Sequence, residues 1–322
     1  MPLLVVQNLV KHYPGHGLFG REKPVRAVDG VSFELESGET LALVGESGSG
    51  KSSVGRAILR LTEPTSGRVS FEGQEVFSLD RTALRALRRR MQIIFQDPSG
   101  ALDPRMRIGA AIAEGLEIHR LAPKAGIPGR VAALMEEVGL DPAWAGRFPH
   151  ELSGGQRQRV GIARALAVEP AFIVCDEPVS ALDVSVQAQV VNLLADLQQR
   201  RGLSYLFIAH DLAVVRQLAH RVAVMYLGRI VESGPAEQLL ESPRHPYTQA
   251  LVSAVPEPVP GGSGSRIILA GEPPSPSDPP PGCRFHPRCF HPRKDGRCRS
   301  EEPELRPVGS TVAACHYAEP EV

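Results

Sequence analysis

The feature that most constrains the fold of this chain is a glycine-rich segment, residues 45–52 (GESGSGKS), which directly follows the apolar run 41–44 (LALV). The pattern G-x-x-x-x-G-K-[ST] between a strand and a helix is typical of a loop whose backbone N–H groups surround phosphates. In such a loop the lysine reaches the outer phosphates and the next hydroxyl binds Mg²⁺. This phosphate loop predicts an α/β fold that binds a nucleotide through Gly45, Glu46, Ser47, Gly48, Ser49, Gly50, Lys51, Ser52 and Ser53.

Two further apolar runs, residues 172–176 (FIVCD) and 205–209 (YLFIA), have the continuous hydrophobicity of strands in a parallel sheet that is covered on both faces. Each of the three runs ends at a residue with useful chemistry. Because ligands of open α/β sheets bind beyond the carboxyl ends of the strands, Gly45, Asp176 and His210 are expected to meet in one crevice.

A helical insertion is predicted between Gln96 and Pro170, because the strand pattern stops there and apolar residues recur at helical spacing in residues 108–119 and 129–138. Near its end lies LSGGQ, residues 152–156, which we call the signature segment. Ser153 has the chemistry of a helix N-cap, with Gln156 three residues later as in a capping box. Gly154 and Gly155 leave the backbone bare, so the segment predicts a second helix start that faces phosphate.

Polar residues at predicted strand ends suggest phosphate hydrolysis. Asp176 is placed to hold Mg²⁺ through water, and Glu177 is placed to polarise a water molecule that attacks the γ-phosphate. Gln96 also follows a predicted strand, and its amide can bond the metal or the attacking water. His210 can donate a hydrogen bond to the γ-phosphate.

In this order, the motifs resemble those of the ATP-binding subunit of an ABC transporter, with Gln96 in the Q-loop, residues 180–183 (SALD) as the D-loop and His210 as the switch histidine. The resemblance implies a RecA-like P-loop NTPase core with an antiparallel β subdomain, a helical insertion at about residues 97–170 and a small Cys-rich C-terminal appendage. It also implies that Tyr13 stacks on adenine. In the implied dimer, the signature segment of one subunit closes over ATP that the other subunit holds.

Segments outside these motifs resemble the oligopeptide/dipeptide permease branch, and in particular its second ATPase subunit. They are residues 11–35, 95–105 (FQDPSGALDPR), 245–256 (HPYTQALVSAVP) and 282–289 (GCRFHPRC). One departure is Asp103, where that branch often has Asn. The branch implies a second ATP-binding subunit (a paralogue or a copy of this chain), two membrane permease subunits, an extracytoplasmic substrate-binding protein and a peripheral position on the cytoplasmic face of the cell membrane. Nickel and glutathione stay open as alternative cargoes.

The charge balance argues against nucleic acid as a partner, because 36 Lys and Arg equal 36 Asp and Glu. The arginines at positions 85 and 88–90 are dense enough to attract nucleic acid, but they are more typical of a solvated helix face. A soluble ABC ATPase that acts on DNA or ribosomes is the alternative from another class. It would carry a coiled-coil arm, a zinc insertion or a duplicated ATPase domain, none of which this sequence shows.

The chain is predicted to divide into an ATP-binding domain, residues 1–255, and a Pro-rich linker with a Cys-rich region, residues 256–322. The four C-terminal cysteines are spaced C-x5-C-x8-C-x16-C, which differs from the two close pairs of a zinc ribbon. The branch resemblance implies a [4Fe-4S] cluster on these thiolates, and five nearby cations would offset its charge. Zinc, with help from His286 or His316, and unligated or disulfide-bonded cysteines remain open. The candidate ligands are Cys283, Cys289, Cys298 and Cys315; the cations are Arg284, Arg288, Arg293, Lys294 and Arg297.

Overall fold

The computed structural model describes residues 1–15, 23–255 and 266–319. The first part of the predicted linker, residues 256–265, and part of the permease-like segment 11–35 lie outside the described residues. The chain forms two compact units. Unit 1 comprises Met1–Glu36, Thr40–Phe77 and Ala209–Val322, and unit 2 comprises Ser37–Glu39 and Ser78–Ile208.

The regular elements are numbered along the chain. The strands are β1 Leu4–Tyr13, β2 Val25–Leu35, β3 Thr40–Val44, β4 Ser66–Phe71, β5 Gln74–Glu75, β6 Met91–Ile94, β7 Phe172–Asp176, β8 Ser204–Ala209, β9 Arg221–Tyr226, β10 Arg229–Pro235, β11 Arg306–Val308 and β12 Thr311–Ala313. The α-helices are α1 Lys51–Ile58, α2 Arg81–Arg90, α3 Pro98–Ala101, α4 Ile108–Ile118, α5 Ile127–Glu137, α6 Gly154–Leu166, α7 Val184–Arg201, α8 Leu212–Leu218, α9 Ala236–Glu241, α10 Pro246–Ser253 and α11 Arg297–Ser300. Short 3-10 helices span Val76–Ser78, Lys124–Gly126, Pro142–Gly146, Pro149–Glu151 and His286–Arg288.

Unit 1 contains an antiparallel sheet in the order β2-β1-β4-β5, which is the antiparallel β subdomain that the resemblance implies. It also contains strands in the order β11-β12-β10-β9-β3. Strand β3 is parallel to β9, and all five of its residues are buried. The continuous apolar run that precedes the phosphate loop is therefore a covered strand, as predicted.

Unit 2 contains the parallel strands β6, β7 and β8, and every residue of β7 and β8 is buried. All residues from 95 to 171 are described and none of them is in a strand; they contain helices α3 to α6, as the helical pattern predicts. The bounds of the helical insertion stay a prediction. The two helical patterns correspond to α4 and α5, each displaced from the prediction by at most two residues. Arg85 is exposed on α2, whereas the arginines at 88–90 are half-buried, so the predicted solvated face is exposed only in part.

The described end of the chain extends the strands of unit 1. Strand β12 pairs with β10 through Glu232↔Ala313 and Ser233↔Val312, and β11 pairs with β12. A small core of Val308, Ala313 and Ala318 lies here, with Cys315 packed against it. The C-terminal region therefore adds a hairpin to the sheet of unit 1, and its predicted boundary at residue 256 remains a prediction.

No helix within the described ranges is both long enough and apolar enough to cross a lipid bilayer.

Candidate functional site

The phosphate loop is shaped by two tightly packed glycines in unit 1. Gly45 and Gly50 have φ values of 152° and 105°. A Cβ atom on Gly45 would lie 2.2 Å from the carbonyl oxygen of Met225, and one on Gly50 would lie 1.9 Å from that of Ala27. Any larger residue at either position would displace backbone, so the sequence motif reflects packing as well as space for phosphate.

The Lys51 side chain lies inside the phosphate loop and bonds its backbone. It is almost fully buried, and Nζ donates to the carbonyl oxygens of Gly45 at 2.7 Å and Glu46 at 3.0 Å. Helix α1 begins at Lys51, with Gly50 as its N-cap. The buried Ser49 Oγ has no hydrogen-bond partner among the described residues, and a hydroxyl in this position suits a phosphate oxygen. The residues present therefore fit a nucleotide phosphate.

Tyr13, the predicted adenine-stacking residue, is anchored beside the end of the phosphate loop. Its hydroxyl lies 3.3 Å from Ser53 Oγ in α1, and Lys11 Nζ lies 4.8 Å from the centre of its ring. His210, the predicted γ-phosphate ligand, follows β8 and is exposed within unit 1. Its role stays a prediction.

Two of the predicted catalytic side chains, Gln96 and Glu177, are hydrogen-bonded to each other in unit 2. Asp176 is 1% exposed at the end of β7, and Glu177 follows with a left-handed φ of 46°. Gln96 Nε2 donates to Glu177 Oε2 at 3.0 Å, and Glu177 N donates to Ile208 O at 3.1 Å. Sequence reasoning treated Gln96 and Glu177 separately and missed this bond, which orients the Glu177 carboxylate.

The signature segment forms the capping box that its sequence predicts. Helix α6 begins at Gly154, Ser153 Oγ accepts from Gln156 N at 3.3 Å, and Ser153 N donates to Gln156 Oε1 at 2.8 Å. The positive end of the dipole of this 13-residue helix lies at the signature segment. The arrangement supports a site for an anion in front of Ser153.

Gly155 has a packing role that the sequence did not reveal. A Cβ atom there would lie 2.4 Å from Val186 Cγ1 in α7, whereas a Cβ atom on Gly154 would meet Leu182 at an ordinary 3.5 Å. Small size at position 155 thus serves the contact between α6 and α7 in addition to any approach of phosphate.

We expect Gly155→Ala to lower the free energy of unfolding by about 1–3 kcal/mol, since the added methyl overpacks this contact. The matched control is Gly161→Ala in the same helix, where nothing lies within 4 Å of the added Cβ. It is expected to raise stability by about 0.4–1 kcal/mol. Urea unfolding of both variants checks the pair, and equal effects would contradict the packing assignment.

Two arginines that sequence reasoning missed connect the helix of the signature segment to the Q-loop region within unit 2. Arg157 donates to Ser99 Oγ at 3.0 Å and to Pro149 O at 2.8 Å. Arg164 donates to Ala101 O at 2.6 Å. Movement of α6 would therefore displace Ser99 and Ala101, which follow Gln96 closely in the chain.

The four C-terminal cysteines line one small cavity, together with His286, His316 and Lys294. All are free thiols, so the disulfide alternative is not seen. Burial raises the pKa of Cys283 to about 12 and raises the pKa values of Cys289 and Cys315. His286 Nδ1 and His316 Nε2 each lie 2.9 Å from a backbone carbonyl oxygen, which leaves the other ring nitrogen as an acceptor.

Among the residues that the structure describes, no group of three or more His, Cys, Asp or Glu side chains is arranged to hold a metal ion. The shared cavity and the four sulfur donors nevertheless match the chemistry that iron–sulfur clusters and zinc require. The predicted cluster therefore stays a prediction.

Comparison with known families and proteins identifies the relatives of this chain. Residues 28–180 match the ABC transporter family, and residues 231–298 match the oligopeptide/dipeptide transporter C-terminal region. The chain is 52% identical to the probable peptide ABC transporter ATP-binding protein of Sinorhizobium fredii, over 99% of this chain and 90% of that protein. It is 49% identical to the dipeptide transport ATP-binding protein of Escherichia coli, over 98% of this chain and 94% of that protein.

Solved structures that are similar to this chain also come from ABC transporters. The cbiO1 protein of Clostridium perfringens, part of an ABC transporter complex, matches with a TM-score of 0.64 and 26% identity, over 75% of this chain and 91% of that chain. A dimeric post-hydrolysis state of the ATP-binding cassette MJ0796, bound to ADP and Pi, matches with a TM-score of 0.65 and 28% identity, over 72% of this chain and 98% of that chain. The chain therefore belongs to the ATP-binding subunits of ABC transporters, in the branch with the oligopeptide/dipeptide transporter C-terminal region.

Proposed function

We propose that this chain binds and hydrolyses ATP to energise the import of oligopeptides or dipeptides through a membrane ABC transporter. The observation that carries the enzymatic part is the hydrogen bond from Gln96 to Glu177, directly after the buried Asp176. This hydrogen bond keeps the Glu177 carboxylate, a group that can polarise water, next to Gln96 of the Q-loop. The names of the relatives, which are peptide and dipeptide transport proteins, support the cargo class.

Each predicted residue then has a role. Lys51 and the backbone N–H groups of the phosphate loop bind the phosphates, and Tyr13 stacks on adenine. Glu177 polarises the attacking water, Gln96 orients Glu177, and His210 donates to the γ-phosphate. Ser52, Gln96 and Asp176 would hold Mg²⁺, which when bound offsets negative charge on the phosphate oxygens.

The functional unit is a dimer of ATP-binding subunits. The capped start of α6 offers N–H groups and the positive end of a 13-residue helix to an anion. In the proposed closed state, Ser153, Gly154, Gly155 and Gln156 contact ATP that the partner's phosphate loop holds. The dimeric MJ0796 cassette supports this assembly. The partner is a paralogue or a second copy of this chain.

The remaining partners are two membrane permease subunits and an extracytoplasmic substrate-binding protein, and the complex lies at the cytoplasmic face of the cell membrane. To test this, the chain is purified from native membranes and the copurifying subunits are identified. The complex in proteoliposomes is expected to hydrolyse ATP faster when its binding protein carries a peptide. Stimulation by nickel or glutathione in place of peptides would overturn the cargo, and the absence of any membrane subunit would overturn the transporter.

The cysteine cavity is proposed to hold a [4Fe-4S] cluster, with zinc as the alternative, through Cys283, Cys289, Cys298 and Cys315. The support is that all four cysteines line one cavity. Purification without oxygen, followed by measurement of iron, sulfide and zinc, separates the two. If Cys289→Ser leaves folding, metal content and transport unchanged, neither metal has a role at this site.

A further inference from the structure

The segment between Cys283 and Cys289, residues 284–288, packs against the rest of unit 1 through the buried side chains of Arg284, Phe285 and Arg288. Phe285 is 1% exposed. Its ring centre lies 5.2 Å from that of Tyr226 in an edge-on arrangement, 5.4 Å from that of Tyr247 and 5.6 Å from that of His245. Aromatic contacts of this kind fix the position of the backbone on either side of Phe285. The packing of Phe285 therefore fixes the backbone from which the side chains of Arg284 and Arg288 extend.

Arg288 contacts the phosphate loop through Glu46. Its Nη1 and Nη2 donate to the two carboxylate oxygens of Glu46 at 2.8 Å and 3.2 Å, and its side chain is 7% exposed. Such a paired interaction has a fixed geometry in addition to its charge. Burial lowers the pKa of Arg288, but the interactions with Glu46 and Tyr226 together outweigh this, so the pKa lies above its usual value and the guanidinium stays charged.

Glu46 is held at three points. Besides Arg288 on the carboxylate, its backbone N donates to Tyr247 Oη at 2.7 Å, and its carbonyl oxygen accepts from Lys51 Nζ at 3.0 Å. Glu46 therefore supplies one of the two carbonyl oxygens that hold the Lys51 ammonium, the other being that of Gly45. A carboxylate in a phosphate-binding loop also repels phosphate, and Arg288 neutralises it.

Arg284 holds the neighbouring turn. It donates to Leu227 O and to Asp29 Oδ2. The next residue, Gly228, donates its N–H to Ser49 O in the phosphate loop at 2.9 Å. Burial opposes ionisation of Asp29, but Arg284 and His12 lower its pKa below the usual value, so this pair also stays charged. The 284–288 segment thus contacts the loop directly through Arg288 and indirectly through Arg284.

We propose that Arg288 is a positioning residue for nucleotide binding: it acts through Glu46 to fix the phosphate loop and to cancel the negative charge of Glu46 beside the phosphates. The inference rests on the proposed binding of ATP at this loop. It gives the Cys-rich region a task at the nucleotide site of its own chain.

The test is a double-mutant cycle on the full-length chain, read out as the Kd of a fluorescent ATP analogue. Arg288→Gln is expected to weaken binding about tenfold, because it leaves the Glu46 carboxylate unpaired beside phosphate. Adding Glu46→Gln removes that charge, so the double variant is expected to bind within about threefold of the parent. This recovery would assign the weaker binding to the uncompensated charge of Glu46 and not to the loss of the Arg288 side chain itself.

The matched control is Arg201→Gln in unit 2. Arg201 also makes two hydrogen bonds to one carboxylate, that of Glu137, and its side chain is 28% exposed. We expect it to affect unfolding by urea but not the Kd. Unchanged binding in Arg288→Gln, or a double variant as weak as the single one, would overturn the inference. A parent chain that binds no ATP would instead overturn the proposed function.

Discussion

Replacing Glu177 by glutamine is expected to lower ATP turnover by about 10²–10⁴-fold while ATP binding is retained. The amide keeps the size of the side chain and an oxygen that can still accept from Gln96 Nε2, so the local geometry survives. It no longer carries the negative charge that polarises water. Because hydrolysis is what reopens the proposed dimer, the variant is also expected to accumulate as a closed, ATP-bound dimer.

Phosphate release measures turnover of the Glu177→Gln variant, and size-exclusion chromatography with ATP measures dimer formation. Glu169→Gln is a suitable control, since Glu169 lies in the same unit and makes half-exposed ion pairs with Arg130 and Arg89. That control is expected to turn over ATP at the parent rate. Parental turnover in Glu177→Gln would show that another group activates the water.

Replacing Lys51 by alanine is expected to weaken ATP binding by roughly 10- to 100-fold, the effect of losing one or two hydrogen bonds from a charged donor. The side chain bridges the carbonyl oxygens of Gly45 and Glu46 from inside the loop, so its loss removes the proposed phosphate ligand and also two hydrogen bonds that hold the loop. Titration with a fluorescent ATP analogue measures the effect.

Lys124→Ala controls for the loss of one positive charge, because Lys124 is exposed in a short 3-10 helix of unit 2. We expect its Kd to match that of the parent. Urea unfolding without nucleotide then separates a looser loop from a lost ligand. If Lys51→Ala binds ATP as tightly as the parent, the phosphate loop is not the nucleotide site.

Much of the fold was predictable because local patterns determine it. The buried strands β3, β7 and β8 follow from continuous apolar runs, and α4 and α5 follow from helical periodicity. The capping box of Ser153 and Gln156 was predictable for the same reason, since its two partners are three residues apart.

The parts that were missed depend on contacts between distant residues. Arg288 and Glu46 are separated by 242 positions, and nothing in either local sequence indicates the other. The contact of Gly155 with Val186 and the hydrogen bond from Gln96 to Glu177 likewise depend on how helices and strands pack. The hairpin of β11 and β12 was not predicted either, because the last 40 residues contain few large apolar side chains. Short strands at a sheet edge need little hydrophobic sequence.

The pairing of β12 with β10 has a consequence for anyone who shortens this protein. Strand β10 has β9 on one side and β12 on the other. A fragment that stops at residue 255 keeps every ATP-binding motif but leaves one side of β10 without its neighbour. Unpaired N–H and C=O groups on a strand edge recruit other chains. We therefore expect β12 to protect β10 from self-association, and a fragment that ends at residue 255 to associate with itself more than one that extends to Ala313.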